Sequence, residues 1–76
     1  MKNFILTSDY IELVKLLKLL GLADTGGRAS QLIAQGEVKV NGHTELRKRA
    51  KLRNGDNVEV FGNFIKIQSS EIHPEA

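Results

Sequence analysis

The chain has 76 residues, of which 41% are hydrophobic and 26% charged, with a formal net charge of +2. This length suits one small domain, and the apolar content excludes a chain without a folded core. The absence of cysteine excludes disulfides and thiolate metal sites. Because small domains in oxidising compartments usually carry disulfides, we expect a cytoplasmic protein. Residues 11–22 form the longest apolar-rich stretch, which is too short and too charged to span a membrane.

The first elements predicted along the chain are a weakly patterned strand at residues 4–7 and a helix. Asp9 and Glu12 have the spacing of a capping box, so the helix is expected to begin at residues 8–9. Apolar side chains then follow the helical period as far as Gly21, which is expected to end the helix in the left-handed conformation.

The second predicted helix covers Gly27 to Gln35, with Thr25 as its capping residue and Gly36 just beyond its end. Only residues 22–24 and the capping turn connect the two helices, so we expect the helices to be neighbours. The apolar side chains of the second helix share one face: Ala29, Leu32 and Ile33.

After the second helix the pattern changes to the alternation of strands. Residues 38–40 alternate and are followed by Asn41–Gly42, a strong turn signal. Two further alternating strands, 58–61 and 64–67, are separated by Gly62–Asn63, which predicts a hairpin with a two-residue loop.

Together these elements predict an α+β fold, in which a two-helix motif packs on a small sheet of three to five short strands. Residues 1–68 are expected to form the domain, as a monomer, and residues 69–76 a polar flexible tail. The aromatic residues fall mostly at predicted core positions, so stacking on nucleobases is not expected. These residues are Phe4, Tyr10, Phe61 and Phe64.

The sequence offers little for catalysis. His43 follows a predicted turn and His73 lies in the tail, so neither has an evident partner for a catalytic triad or a metal site. The acidic residues are scattered singly, and no glycine-rich phosphate loop with a lysine is present. We therefore expect a protein that is not an enzyme and needs no cofactor or metal.

Charge is distributed unevenly: residues 1–24 sum to zero, residues 25–53 to +5 and residues 54–76 to −3. This asymmetry indicates a polyanionic partner. Runs of charge are ordinarily solvated loops, but residues 47–53, here called the basic segment, contain no acidic residue and are rich in arginine, which suits phosphate contacts. The segment lacks the interleaved large apolar residues of a membrane-surface helix. Its cations are Arg47, Lys48, Arg49, Lys51 and Arg53.

A second candidate feature is Thr25–Arg28, here called the helix-pair turn. Glycines at a helix start leave backbone N–H groups open to an anion, to which Arg28 adds charge, but the same residues also suit a plain capping turn. Lys39 is expected to point away from the core, as either a phosphate contact or an ordinary exposed lysine. Asn41 is chiefly a turn residue, and a base contact from it is secondary.

Three stretches, residues 16–23, 28–42 and 52–58, carry a family resemblance. They contain Leu-Ile-x-x-Gly, then Val-x-Val-Asn-Gly, then Gly-Asp-x-Val, and resemble the S-four (S4) RNA-binding domain, also called the alpha-L motif. The resemblance spans roughly residues 9–61, and the glycine pair and basic segment are most similar to the stand-alone bacterial members, the YbcJ-like group. It implies RNA binding by the helix pair with the following basic loop and strand.

One position departs from the family pattern. Many members begin the second helix with Ser-Arg, whereas this chain has Thr25-Gly26 and an arginine two residues later. This arrangement fits a backbone-amide site at Gly26 and Gly27, supported by Arg28.

The predicted function is non-catalytic binding of structured RNA, with ribosomal RNA, a ribosomal subunit or an assembly intermediate as the target. A protein–protein adaptor or regulator that docks an acidic partner through the basic segment is the alternative. The predicted RNA-binding residues are Thr25, Gly26, Gly27, Arg28, Gln31, Lys39, Asn41, Arg47, Lys48, Arg49, Lys51 and Arg53.

Overall fold

Residues 2–69 are described by a computed structural model, which contains a mixed sheet with two helices on one face. In chain order the elements are β1 (Lys2–Leu6), β2 (Ile11–Glu12), α1 (Leu13–Leu19), α2 (Gly26–Ala34), β3 (Val38–Val40), β4 (His43–Thr44), β5 (Lys51–Leu52), β6 (Asn57–Val60) and β7 (Asn63–Ser69).

Five strands form the main sheet in the order β1-β7-β6-β3-β4, and β2 pairs with β5 in a separate two-stranded ribbon. β1 lies parallel to β7, while the other pairs are antiparallel. The predicted α+β class, with two helices on a sheet of up to five strands, is confirmed. The β2–β5 ribbon was not predicted, because each of its strands is only two residues long.

The core lies between the helices and one face of the sheet. Alternate residues of β3, β6 and β7 point into this layer, as expected for strands with one buried face. Each fully buried leucine, isoleucine or valine contributes about 1.5–3 kcal/mol. The other sheet face is left uncovered by the helices. The side chains at most 1% exposed include Leu13, Leu16, Leu17, Leu32, Ile33, Val38, Val58, Val60, Ile65 and Ile67.

α1 begins at Leu13, four to five residues after the predicted start at residues 8–9, and the prediction of a capping box at Asp9 is wrong. Glu12 is the N-cap residue, is extended (φ −73°, ψ 143°) and makes no side-chain capping bond. The Leu13 and Val14 N–H groups, the first of the helix, donate instead to backbone carbonyls of the basic segment, each at 2.9 Å. Backbone pairing with a distant segment therefore replaces local side-chain capping.

The predicted glycine ends of both helices are confirmed, and the second helix is present but begins and ends one residue earlier than predicted. Gly21 and Gly36 follow the two helices with φ of +75° and +78°, the left-handed conformation that favours glycine. The Thr25 hydroxyl accepts a hydrogen bond from the Arg28 N–H, as a capping residue does. The predicted apolar face of α2 is buried against α1 and the sheet.

The two hairpins have tight turns. Asn41 and Gly42 connect β3 and β4 as predicted, with φ of 52° and 85°. The β6–β7 loop is Phe61–Gly62, one residue earlier than predicted, and its φ angles of 52° and 76° match a type I′ turn with glycine second. At the far end of this hairpin the Gly55 N–H donates to the Ile67 carbonyl at 2.8 Å, which fixes the register.

No helix within residues 2–69 is long and apolar enough to cross a membrane. Of the predicted tail, Ser69 belongs to β7 and pairs with Leu6, whereas residues 70–76 lie outside the described residues.

Candidate nucleic-acid interface

The backbone of the basic segment is fixed against the start of α1. Lys51–Leu52 forms β5 and pairs with β2. The Ala50 carbonyl accepts from the Leu13 N–H, and the Lys48 carbonyl from the Val14 N–H. Ala50 and Leu52 are buried, with exposures of 6% and 1%. The segment is therefore held in one conformation by backbone bonds and two apolar anchors.

The cationic side chains of the basic segment point away from the core. Because Ala50 and Leu52 face inward, the alternation of the chain directs Lys51 and Arg53 outward, and all five cations are exposed. Together with Ala50 they line an open hollow on the surface. A hollow lined by several cations attracts a polyanion, because their potentials add within it.

Arg47 differs from the other four cations because it has a carboxylate partner. Its Nε lies 2.9 Å from Glu45 Oε2 and its Nη2 lies 3.1 Å from Oε1, a bidentate pair, and its backbone N–H also donates to Oε2. These hydrogen bonds lower the pKa of Glu45 and raise the pKa of Arg47. The segment itself contains no acid, as the sequence shows, but its first cation is neutralised by a residue just before it.

Tyr10 lies beside two of the remaining cations. Lys51 Nζ is 5.0 Å and Arg53 Cζ 5.4 Å from the centroid of its ring. Both distances fall within the ~6 Å over which an aromatic face attracts a cation. Within residues 2–69 none of the four cations other than Arg47 forms an ion pair.

The expectation that the aromatic residues occupy the core is wrong for three of the four. Tyr10, Phe61 and Phe64 are 37%, 56% and 49% exposed, and only Phe4 packs partly buried against the core. Tyr10 precedes β2, Phe61 lies in a turn, and Phe64 alternates with the buried Ile65 and so faces the open side of the sheet. The exposure of Tyr10 could not be predicted from strand alternation, because the spacing of Asp9 and Glu12 predicts a helix start there rather than a strand.

The helix-pair turn lies at the start of α2. Arg28 is exposed and its Nη1 donates to Gln31 Oε1 at 3.3 Å. A Cβ atom added to Gly26 would lie 4.0 Å from Lys18 Cδ, so the Lys18 side chain of α1 reaches this turn. The sequence placed Lys18 only on the polar side of α1, because its proximity to Gly26 depends on how the two helices pack.

α1 joins the two basic features. Its first N–H groups contact the basic segment, and Lys18 near its last turn approaches Gly26. At ~1.5 Å per residue, the seven residues of this helix separate the two features by about 10 Å. Lys15 is exposed on the same helix between them. The structure thus brings together the basic segment and the helix-pair turn, and adds two lysines that were not predicted.

Two predicted site residues lie elsewhere. Lys39 alternates with the buried Val38 and so faces the open side of the sheet, opposite Glu59 on β6 and away from the helices. The Asn41 side chain is used within the fold: its Nδ2 donates to Asp56 at 3.1 Å, and its Oδ1 accepts from the Asn57 N–H at 2.9 Å. The fold therefore does not place Lys39 beside the helix-pair turn.

Within the described residues, no group of three or more His, Asp or Glu side chains is arranged to hold a metal ion.

Comparisons with known proteins show the family and support the fold. The S4 domain family matches residues 4–68. YbcJ from Escherichia coli strain K12 is 41% identical over 58 residues, which cover 76% of this chain and 83% of YbcJ, and YbcJ from Shigella flexneri matches equally.

Two solved structures have similar folds. The solution structure of E. coli YbcJ, described as revealing an alpha-L motif involved in RNA binding, has a TM-score of 0.68 and 39% identity, and the match covers 90% of this chain and 87% of YbcJ. The 30S ribosomal protein S4e from Thermoplasma acidophilum has a TM-score of 0.63 and 27% identity over 76% of this chain and 31% of that protein.

Proposed function

The chain belongs to the S4 domain family. We propose that it binds structured RNA without catalysing a reaction on it. The basic segment and the helix-pair turn form the proposed contact surface, with Lys15 and Lys18 between them. The similar E. coli YbcJ has an alpha-L motif involved in RNA binding, which supports the proposal.

The observation that carries the proposal is the fixed backbone under four exposed cations that have no carboxylate partner within residues 2–69: Lys48, Arg49, Lys51 and Arg53. A polyanion that binds them releases condensed counterions, which is the main source of affinity for a phosphate backbone. Because the backbone is already ordered, binding does not have to order this loop, which lowers the entropic cost of association. Phosphate contacts of this kind supply affinity and orientation more than base specificity.

We propose ribosomal RNA as the target, in the cytoplasm, with the protein acting as a monomer. A 30S ribosomal protein among the similar structures supports this choice of RNA. Crosslinking in cells, followed by sequencing of the attached RNA, tests it directly. Enrichment of ribosomal RNA fragments is the expected result. Enrichment of other RNAs alone would show that ribosomal RNA is not the target.

Two double variants with the same change of charge test the contact surface. Lys48→Gln with Arg49→Gln removes two cations from the basic segment, whereas Lys39→Gln with Lys66→Gln removes two from the open face of the sheet. Fluorescence polarisation with a labelled RNA duplex should show weakened binding for the first pair only. Equal weakening by both pairs would contradict the proposed surface and indicate a response to net charge alone.

Binding of an acidic protein partner, the alternative function, predicts a different experimental result from RNA binding. A protein partner captured by the tagged chain after nuclease treatment, with no affinity of the purified chain for RNA, would overturn RNA binding in favour of an acidic protein. A log-linear loss of affinity with salt is expected for RNA, with a slope of about −0.9 per neutralised phosphate on a duplex.

A further inference from the structure

A groove that Tyr10 helps to line lies next to the basic segment. It has a volume of about 530 Å³ and is formed where the end of β1, the following loop and the outer side of α1 meet. Phe4, Leu6 and Leu19 supply apolar surface, and Leu19 is 61% exposed. A concave surface with apolar side chains and a few polar groups suits a flat, largely apolar ligand.

The groove and the basic segment differ in charge. Asp9 and Glu12 line the groove, together with Lys15 and hydroxyl groups of residues 7–8, so its lining carries a net negative charge. The two carboxylates repel phosphate, but they can accept hydrogen bonds from the amino groups of a nucleobase. Lys51 and Arg53, which lie over the Tyr10 ring, attract phosphate and repel amino groups. Tyr10 therefore belongs both to a groove suited to bases and to a group of cations suited to phosphates.

We propose that the Tyr10 groove binds an unpaired RNA nucleobase, which stacks on the Tyr10 ring while its neighbouring phosphates contact Lys51 and Arg53. This inference rests on the proposed RNA binding and deepens it, since the surface then recognises a duplex region with an adjoining single strand. Bases that carry an exocyclic amino group, such as adenine, are bound in preference to uracil, because they can donate to Asp9 or Glu12.

Tyr10 provides its own spectroscopic probe. The chain contains one tyrosine and no tryptophan, so its intrinsic fluorescence reports Tyr10 alone. The test uses a blunt RNA duplex and the same duplex with a short single-stranded tail of adenosines or uridines. After correction for absorption by the RNA, the adenosine tail should quench Tyr10 fluorescence beyond the blunt duplex, and the uridine tail should do so less.

Variants at Tyr10 separate stacking from a merely structural role. Tyr10→Ala should bind the adenosine-tailed duplex about 5- to 10-fold more weakly, because an aromatic–base stack is lost, with little change for the blunt duplex. Tyr10→Phe keeps the ring and should bind the tailed duplex as the unmodified protein does. Thermal unfolding checks that both variants are folded.

Any other outcome of these experiments would overturn a specific part of the proposal. Equal weakening of blunt and tailed duplexes by Tyr10→Ala would reduce Tyr10 to a positioning residue for Lys51 and Arg53 and overturn the base site. If Tyr10 fluorescence and RNA affinity are the same for blunt and tailed duplexes, the base site is overturned and the proposed RNA binding remains. Equal effects of the two tails would overturn the preference for amino-bearing bases. Failure of the unmodified protein to bind any duplex would overturn RNA binding as well.

Discussion

The ion pair between Glu45 and Arg47 predicts that removing an acidic residue strengthens RNA binding. Glu45→Gln leaves a neutral side chain that can still accept a hydrogen bond from the Arg47 backbone, but it frees the guanidinium, which is 79% exposed at its side chain. Ion pairs at the protein surface contribute little to folding stability, so the variant should remain folded with only a small loss of stability. Arg47 then joins the four cations of the basic segment that have no carboxylate partner within residues 2–69.

The magnitude follows from counterion release. Four cations in contact with phosphates of a duplex contribute about −3.6 to the slope of log K against log salt concentration, and a fifth adds about −0.9. At about 0.15 M salt the added phosphate contact corresponds to a complex roughly 5-fold tighter.

Glu59→Gln is the matched control for this prediction. Glu59 lies on the open face of the sheet opposite Lys39, so its substitution changes net charge equally without freeing a cation of the basic segment. Fluorescence polarisation with a labelled RNA duplex over a series of salt concentrations gives both affinity and slope. An unchanged slope for Glu45→Gln, or an equal gain for Glu59→Gln, would refute the reasoning.

Three further predictions concern the ion pair and the fold. Arg47 lowers the pKa of Glu45, so the ion pair contributes its full stability above the ordinary carboxyl pKa. This contribution is lost as the pH falls through the lowered pKa of Glu45. NMR titration of the Arg47→Gln variant should therefore give a higher Glu45 pKa. Leu17→Ala should cost about 2–5 kcal/mol in chemical unfolding, and Leu19→Ala, at an exposed position, far less. Phe61→Asn should stabilise the hairpin by about 0.5–1 kcal/mol, seen as a raised Tm, because asparagine tolerates positive φ. Unchanged titration, similar losses at both leucines, or a lowered Tm would contradict them in turn.

Features that depend on neighbouring residues were predictable. The helical period of the leucines, the glycines after both helices, the Thr25 cap and the Asn41–Gly42 turn were all predicted correctly. The resemblance to the S4 domain also came from short motifs in the right order, and the family match confirms it. These features are encoded locally, because hydrogen bonds and backbone angles within a few residues decide them.

The arrangement of the candidate surface depended on contacts between distant parts of the chain. Pairing of β2 with β5 moved the start of α1, fixed the basic segment and left Tyr10 beside Lys51 and Arg53. Helix packing brought Lys18 to Gly26. None of this follows from periodicity, since a pattern states which residues are buried and not which distant segment covers them.

The basic segment shows both kinds of information. Its charge and its place after the Val-x-Val-Asn-Gly strand could be predicted from the residues, because composition and short motifs are properties of the chain itself. Folding decided which of its cations have no carboxylate partner within residues 2–69, and which of them lie against the Tyr10 ring. Charge–charge and cation–π interactions act over a few ångströms in space, and only the tertiary structure sets those distances.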